Sequence, residues 1–265
     1  MKKSIKKVIS LIKDSINYIA FYLCGNYKKN KQTLCELKGR YAGKRCFVIC
    51  NGPSLRADDL TKIHDYGDIS IGINLIGRIY NQTPWRPNIL VATDGSVFHP
   101  KNIKIVMNCE AGFKSFKRKD YLKTRNAKGN AVYVKQNNSR DLLEHPQFSM
   151  DSSIIQYTIG TSAYEAIEWA VHLGCREIYI IGCDMSYANN MMKDGSIIKN
   201  ETGRNHFYAT SQDVESDKKI VQTWELKTAF EAAEKFSHQY GFRIYNATRG
   251  GCCEAFERVD FDALF

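Results

Sequence analysis

The sequence lacks the signatures of several common protein classes. No apolar run is long enough to span a bilayer, since Lys13 and Asp14 interrupt the N-terminal one. The nine cysteines include no CxxC pair, and no signal peptide with a cleavage site is present, so they read as reduced core thiols of a cytoplasmic protein. The adjacent Cys252 and Cys253 have no Cys or His at ligand spacing. Neither GxGxxG nor GxxxxGK[ST] occurs, which leaves NAD-type and P-loop readings without support. After the third expected strand the run is Thr93-Asp94-Gly95-Ser96, without a DxD pair; Asp260-Phe261-Asp262 has the spacing but lies in the C-terminal tail. That weakens a metal-dependent glycosyltransferase of the nucleotide-diphosphate kind. There is no internal repeat.

What is present fits one large α/β domain. The 265 residues are 43% hydrophobic and 25% charged, enough for a sizeable core. The net charge of +10 is unevenly placed. Residues 1–40 hold ten Lys/Arg and two Asp/Glu, hence +8, which leaves +2 for the rest. A nearly neutral body argues against a nucleic-acid partner. The basic segment reads as an amphipathic helix, with Ile5, Val8, Ile9, Ile12, Ile16, Ile19, Ala20 and Leu23 at helical steps and Lys2, Lys3, Lys6, Lys7 and Lys13 on other faces. Two readings stay open: a helix lying in an anionic membrane surface, or an ordinary helix packed on the core. Residues 25–42 read as a polar linker. The expected organisation is therefore 1–42, helix and linker, then 43–265, a Rossmann-like nucleotide-binding transferase domain. Candidate lids lie within 108–150 or 186–220.

Strands are expected at 44–50, 68–74, 88–94, 103–107 and 177–184, with a last one at 242–246 and a short one at 131–134. Helices are expected after Leu55, from Thr161 to Gly174 and over 221–240. Apolar strands alternating with helices predict a doubly wound, mostly parallel sheet. Ligands bind such sheets beyond the carboxyl ends of the strands. Asn51, Asn74, Asp94, Asp184 and Asn246 each stand at such an end. In the first turn, Gly52 lets the backbone approach a ligand closely, Pro53 fixes the start of a helix and Ser54 supplies a cap. Helix N-termini here and at Gly160-Thr161-Ser162 suit a phosphate.

These residues carry a resemblance. Cys50-Asn51-Gly52-Pro53-Ser54-Leu55 with Asn74, and Thr161-Ser162 through Gly182-Cys183-Asp184, resemble two blocks of the bacterial sialyltransferases of glycosyltransferase family 42. They also resemble a broader superfamily of proteins similar to the archaeal 6-hydroxymethylpterin pyrophosphokinase, and of flagellin glycosyltransferases that handle nonulosonic acids. Gly160-Thr161-Ser162-Ala163-Tyr164-Glu165-Ala166 is closer to this broader group, and the blocks cover about half of the chain.

The resemblance implies that Asn51, Asn74, Ser162, Gly182 and Asp184 contact CMP. It also implies that His206, in Arg204-Asn205-His206-Phe207-Tyr208, takes the proton of the acceptor hydroxyl; an imidazole is a base suited to neutral pH. Tyr187, one residue out of register, and Tyr208 are candidates for binding the leaving phosphate. Gly52, Pro53, Ser54, Asp94 and Thr161 complete the expected nucleotide site. The implied activity is transfer of sialic acid or a related acidic sugar from a CMP donor to a glycan or glycolipid acceptor, in surface polysaccharide synthesis. No metal or other cofactor is then expected. The alternative is a 6-hydroxymethylpterin pyrophosphokinase-like, ATP-dependent transferase needing Mg²⁺ on Asp94 and Asp184. Peripheral placement on the inner membrane face is expected. Homo-oligomerisation is left open.

Overall fold

The structure is a computed structural model that describes residues 2–24, 26–200, 203–208 and 219–265, with the side chains of 2–7 and 26 excepted. Strands β1 (Arg45–Ile49), β2 (Ile69–Ile73), β3 (Ile89–Val91), β4 (Phe113–Lys117) and β5 (Ala131–Val134) run outward in chain order from mid-sheet. β6 (Gln136–Asn137) and β7 (Gln156–Tyr157) pair with each other. The chain then returns to the far side of β1 with β8 (Glu177–Ile181). A hairpin of β9 (Asn189–Met191) and β10 (Ile197–Lys199) precedes β11 (Arg243–Asn246) and β12 (Glu257–Arg258). The sheet order is β12-β11-β8-β1-β2-β3-β4-β5, with every pair parallel. This is the expected doubly wound, Rossmann-like sheet.

Helices α1 (Lys2–Leu23) and α2 (Asn26–Leu37) come before the sheet. α3 (Ala57–Asp65), α4 (Pro100–Asn108), α5 (Tyr121–Thr124), α6 (Ser162–His172) and α7 (Thr223–Tyr240) lie among its connections. Alternate residues of one strand serve opposite faces. Cys46 and Val48 of β1 pack with α2, α6 and α7, whereas Phe47 and Ile49 pack with α1, α3 and the C-terminal Phe261. That two-sided burial is why the strands read as continuous apolar runs.

Three expectations are corrected. Residues 103–107 are helical, within α4: Pro100 stands in its first turn, His99 caps it, and Val106 is its buried residue. The fourth strand is instead β4, whose sequence FKSFK hides it. Its Lys114 is buried, and the ammonium donates to the carbonyls of Met107 and Lys128, both at 2.8 Å. Residues 26–37, expected in a linker, form α2, which buries Leu34 and Leu37. Asn30 of α2 bonds both the N–H and the C=O of Tyr133, so the helix covers the edge strand β5. Finally, β11 is followed by one more strand, β12.

The middle of α6 is buried all round, carboxylates included. Glu168 accepts the amides of Ser149 (2.7 Å) and Tyr157 (2.9 Å), and Glu165 accepts the hydroxyl of Thr158 (2.6 Å). These bonds tie the 149–158 segment to the helix and fix where α6 begins, at the site.

Candidate functional site

The order of strands reverses between β1 and β8, so the turns leaving these two strands face each other across the crevice where such sheets bind ligands. The turns touch. The Gly52 amide donates to the Gly182 carbonyl at 2.8 Å. A Cβ built on Gly52 would stand 1.9 Å from Asp184 Oδ2 and 2.5 Å from the Gly182 oxygen. Gly182 has φ +65°, and a Cβ there would meet the Cys50 carbonyl at 2.8 Å. Glycine at 52 thus serves the contact between two strand ends, where the sequence suggested approach to a ligand. Ser54 also has a different role from the expected cap: its amide (3.3 Å) and hydroxyl (2.8 Å) both donate to Asp184 Oδ2. α3 starts later, at Ala57, with Arg56 at its cap position and no side-chain cap bond.

A second set of bonds joins β2, β3 and α6. Asn74, in the left-handed region at φ 51°, accepts the amides of Thr93 and Asp94 through Oδ1, both at 3.3 Å, and donates to Ser162 Oγ at 3.2 Å. Thr93 Oγ1 also donates to Ser162 Oγ, at 2.9 Å. Thr161 caps α6 by accepting the Ala163 amide at 3.2 Å. Asn51 holds the two sets together, donating through Nδ2 to the Ile73 carbonyl at 2.9 Å. Its Oδ1 is buried without a hydrogen-bond partner. A buried acceptor left unpaired costs about 1–3 kcal/mol, and a ligand donor would recover that.

One cleft gathers Asn51, Gly52, Pro53, Asn74, Asp94, Thr161, Ser162, Gly182, Asp184, Tyr187 and His206. Of the expected nucleotide-site residues, Ser54 is outside this lining and joins through Asp184. Asn246 is not there: it binds the Cys253 carbonyl and the Thr248 amide as a buried turn residue. Tyr208 is also outside the lining. Its ring stacks on His206 at 4.9 Å, and Arg78 sits 4.3 Å from its centroid. The loop bearing His206 is held by the Phe207 amide, which donates to the Asn51 carbonyl at 2.9 Å, and by buried Asn205, which accepts the Ala188 amide. Residues 201–202 and 209–218 of the 186–220 lid candidate lie outside the described residues.

Sequence reasoning missed Arg204, Lys219 and Met185, which also line the cleft. Arg204 stood beside His206 in the quoted run. Lys219 lay in a polar stretch with no periodicity to place it. Met185 has φ 53°, an uncommon conformation for a residue other than glycine.

Burial raises the Asp184 carboxyl above the usual carboxylate range, and the Ser54 bonds offset part of that. Burial pushes Asp94 the same way, but Lys219, 3.8 Å away, and the bonds from Ser96 outweigh it, so its carboxyl stays low and ionised. Burial pushes the half-buried Tyr187 phenol up, with Cys183, Cys50 and Asp184 adding to it, so it is a neutral hydrogen-bond donor at physiological pH. Among the described residues no three His, Cys, Asp or Glu side chains converge as metal ligands.

The family model described as 6-hydroxymethylpterin diphosphokinase MptE-like matches residues 22–190. The chain belongs to this MptE-like family. The matched region runs from the end of α1 to β9 and includes both turns of the strand-order reversal. His206, Lys219 and α7 follow it. No curated protein matches the sequence. Among solved structures, the MptE-like chain is similar to the MAf glycosyltransferase from Magnetospirillum magneticum AMB-1. The TM-score is 0.53 at 14% identity, over 90% of this chain and 39% of that one. It therefore spans about two fifths of that protein's length. It is also similar to the sialyltransferase CstII from Campylobacter jejuni, solved with cytidine-5'-monophosphate. Here the TM-score is 0.48 at 15% identity, over 82% of this chain and 85% of that one. At 14% identity the property shared with the MAf glycosyltransferase is the fold.

Proposed function

We propose that the protein is a glycosyltransferase that moves sialic acid or a related acidic sugar from a CMP donor to a hydroxyl of a glycan or glycolipid. The observation that carries the reading is the single cleft in which the nucleotide-type residues Asn51, Asn74, Ser162 and Asp184 meet two cations, a neutral phenol and an imidazole. The resemblance of the two sequence blocks to family 42 supports CMP as the nucleotide, and the fold shared with a glycosyltransferase supports the class.

Each group then has a task. Arg204 and Lys219 neutralise the donor phosphate. Asn51 Oδ1 accepts a donor hydrogen from the nucleotide. The acceptor oxygen bonds to the anomeric carbon as the bond from that carbon to the phosphate oxygen breaks. The bonding pair leaves with CMP, and the hydroxyl proton goes to His206. The Tyr187 phenol donates a hydrogen bond to the departing phosphate. Attack on the face opposite the leaving group inverts the anomeric configuration.

The family description favours a second reading, an ATP-dependent diphosphokinase. It needs Mg²⁺ on Asp94 and Asp184, and the protein's own groups already engage three of their four carboxylate oxygens, which speaks against it. Asp184 Oδ2 already accepts two bonds from Ser54, and Asp94 caps Ser96 at 2.7 Å with Lys219 beside its other oxygen. A thermal-shift panel of CMP, CTP, ATP and GTP, with and without Mg²⁺, separates the two readings, because a ligand of the native state raises apparent stability. The expected result is a larger shift with CMP or CTP that survives EDTA. A shift seen only with ATP and Mg²⁺ hands the site to the kinase.

A further inference from the structure

We infer that α1 seats the protein on an anionic lipid surface, through the helix face turned away from the body. The opposite face docks on the protein. Asn17 accepts the Leu122 amide at 2.9 Å through Oδ1, and Phe21, wholly buried, packs edge-on against Tyr121 at 5.5 Å beneath the Arg118 guanidinium. At about 100° per residue, Ile19 lies roughly 200° round the helix from Asn17, and Ile12 and Ile16 fall on the same outward side. These side chains are open to solvent: Ile12 is 55% exposed, Ile16 50%, Ile19 56% and Leu23 80%. Val8 and Leu11 extend the patch past half exposure. An amphipathic helix that packed its apolar side on its own core would show the reverse. Here the polar Asn17 faces inward and the isoleucines face outward.

An outward apolar stripe of this length marks an interaction surface. The charge identifies the partner. Of the net +10, +8 lies in residues 1–40, and Lys13 is exposed on the flank of the stripe, the position from which an ammonium reaches anionic headgroups while the apolar face enters the acyl boundary. A second copy of this chain would bring the same excess of lysines against itself. Among the described residues no helix is long and apolar enough to cross a membrane, so α1 lies in the surface plane.

The test is co-sedimentation of the full chain with phosphatidylcholine vesicles, with and without phosphatidylserine, at low and high salt. Sedimentation velocity without lipid runs in parallel. The partner variant is Ile12→Asp with Ile19→Asp, two exposed sites whose change should leave the melting temperature near that of the wild type, measured as the control for folding. The wild-type chain should bind the anionic vesicles at least about tenfold better than neutral ones, and salt should weaken this several-fold without abolishing it. The double variant should lose binding by about tenfold or more, since each charge placed in the acyl boundary opposes insertion. Equal binding to neutral and anionic vesicles overturns the inference. So does an absence of vesicle binding together with a dimer that the double variant splits, which would make a second copy the occupant. The outcome does not depend on which nucleotide the cleft takes.

Discussion

Substituting Gly52 by alanine should cost about 3–5 kcal/mol of folding stability, because the added methyl has nowhere to go. The new Cβ would stand 1.9 Å from Asp184 Oδ2, where ordinary contact begins near 3.4 Å, so the carboxylate has to retreat by 3.4 − 1.9 = 1.5 Å. A rotation can supply that, but it breaks the bonds from the Ser54 amide, long at 3.3 Å, and from its hydroxyl at 2.8 Å, which together contribute about 2–4 kcal/mol. The Gly182 carbonyl, 2.5 Å away, is main chain and cannot rotate clear. The β1 and β8 turns must part by close to an ångström, which breaks the bond from the Gly52 amide as well, for a further ~1 kcal/mol. The assay is urea denaturation at constant slope, with Gly95→Ala as control. A Cβ at Gly95 meets nothing within 4 Å, so that variant should stay within about 0.5 kcal/mol of wild type. Nucleotide-induced stabilisation should disappear in Gly52→Ala and persist in the control. A loss below about 1 kcal/mol in Gly52→Ala, or equal losses in both variants, would refute the contact on which the site is built.

His206→Ala should lower turnover by roughly 10²–10⁴ with CMP affinity near wild type, read by steady-state transfer and calorimetry; normal turnover removes it as the base. Asn51→Ala should weaken CMP about ten- to a hundredfold in the same titration, and unchanged affinity would make it a turn residue only. Burial holds the Glu168 carboxyl well above the usual carboxylate range, against the pull of the Tyr157 and Ser149 amides. A raised folded-state pKa gives stability that is full below the unfolded value of about 4.3 and declines as pH rises through the folded one. Relative to wild type, Glu168→Gln should therefore gain stability as pH is raised above the unfolded value, and parallel urea midpoints for the two proteins across the pH range would contradict this.

Much of the fold was legible because β1, β2, β3 and β8 are buried on both faces and carry unbroken apolar runs. β4 was not, since its two lysines are buried, and the groups that compensate them, such as the Met107 and Lys128 carbonyls around Lys114, converge only in three dimensions. Lys117, for example, has its pKa lowered by burial while the distant Glu165 opposes the shift. α4 was misread for a related reason: five residues are too few to separate a helical period from a strand, and the cap at His99 and Pro100 decided it. The site was legible at the strand ends, where the topology rule converts sequence position into spatial convergence. That rule says which residues meet, and is silent on what they do when they meet. Ser54 and Gly52 turned out to serve Asp184 and Gly182, partners about 130 residues away whose identity no local pattern carries.

Asn51 shows how little of the site can be changed independently. Its carbonyl accepts the Phe207 amide and so positions the His206 loop, its Nδ2 binds the end of β2, and its Oδ1 is left unpaired at the cleft wall. Main chain, donor and acceptor of one residue thus join the loop that bears the base to the strands that bear the nucleotide site. The first of these bonds survives any side-chain substitution at position 51, whereas the second does not. A variant here should therefore keep the His206 loop in place while loosening β2 from β1, and Asn74 stands at the first position past that loosened end. Because Asn74 accepts the Thr93 and Asp94 amides, the disturbance would pass on to β3 and, through Ser162, to the start of α6. The cleft is preorganised by these linked bonds, and Oδ1 is the side-chain acceptor of Asn51 that the fold leaves unpaired for a ligand.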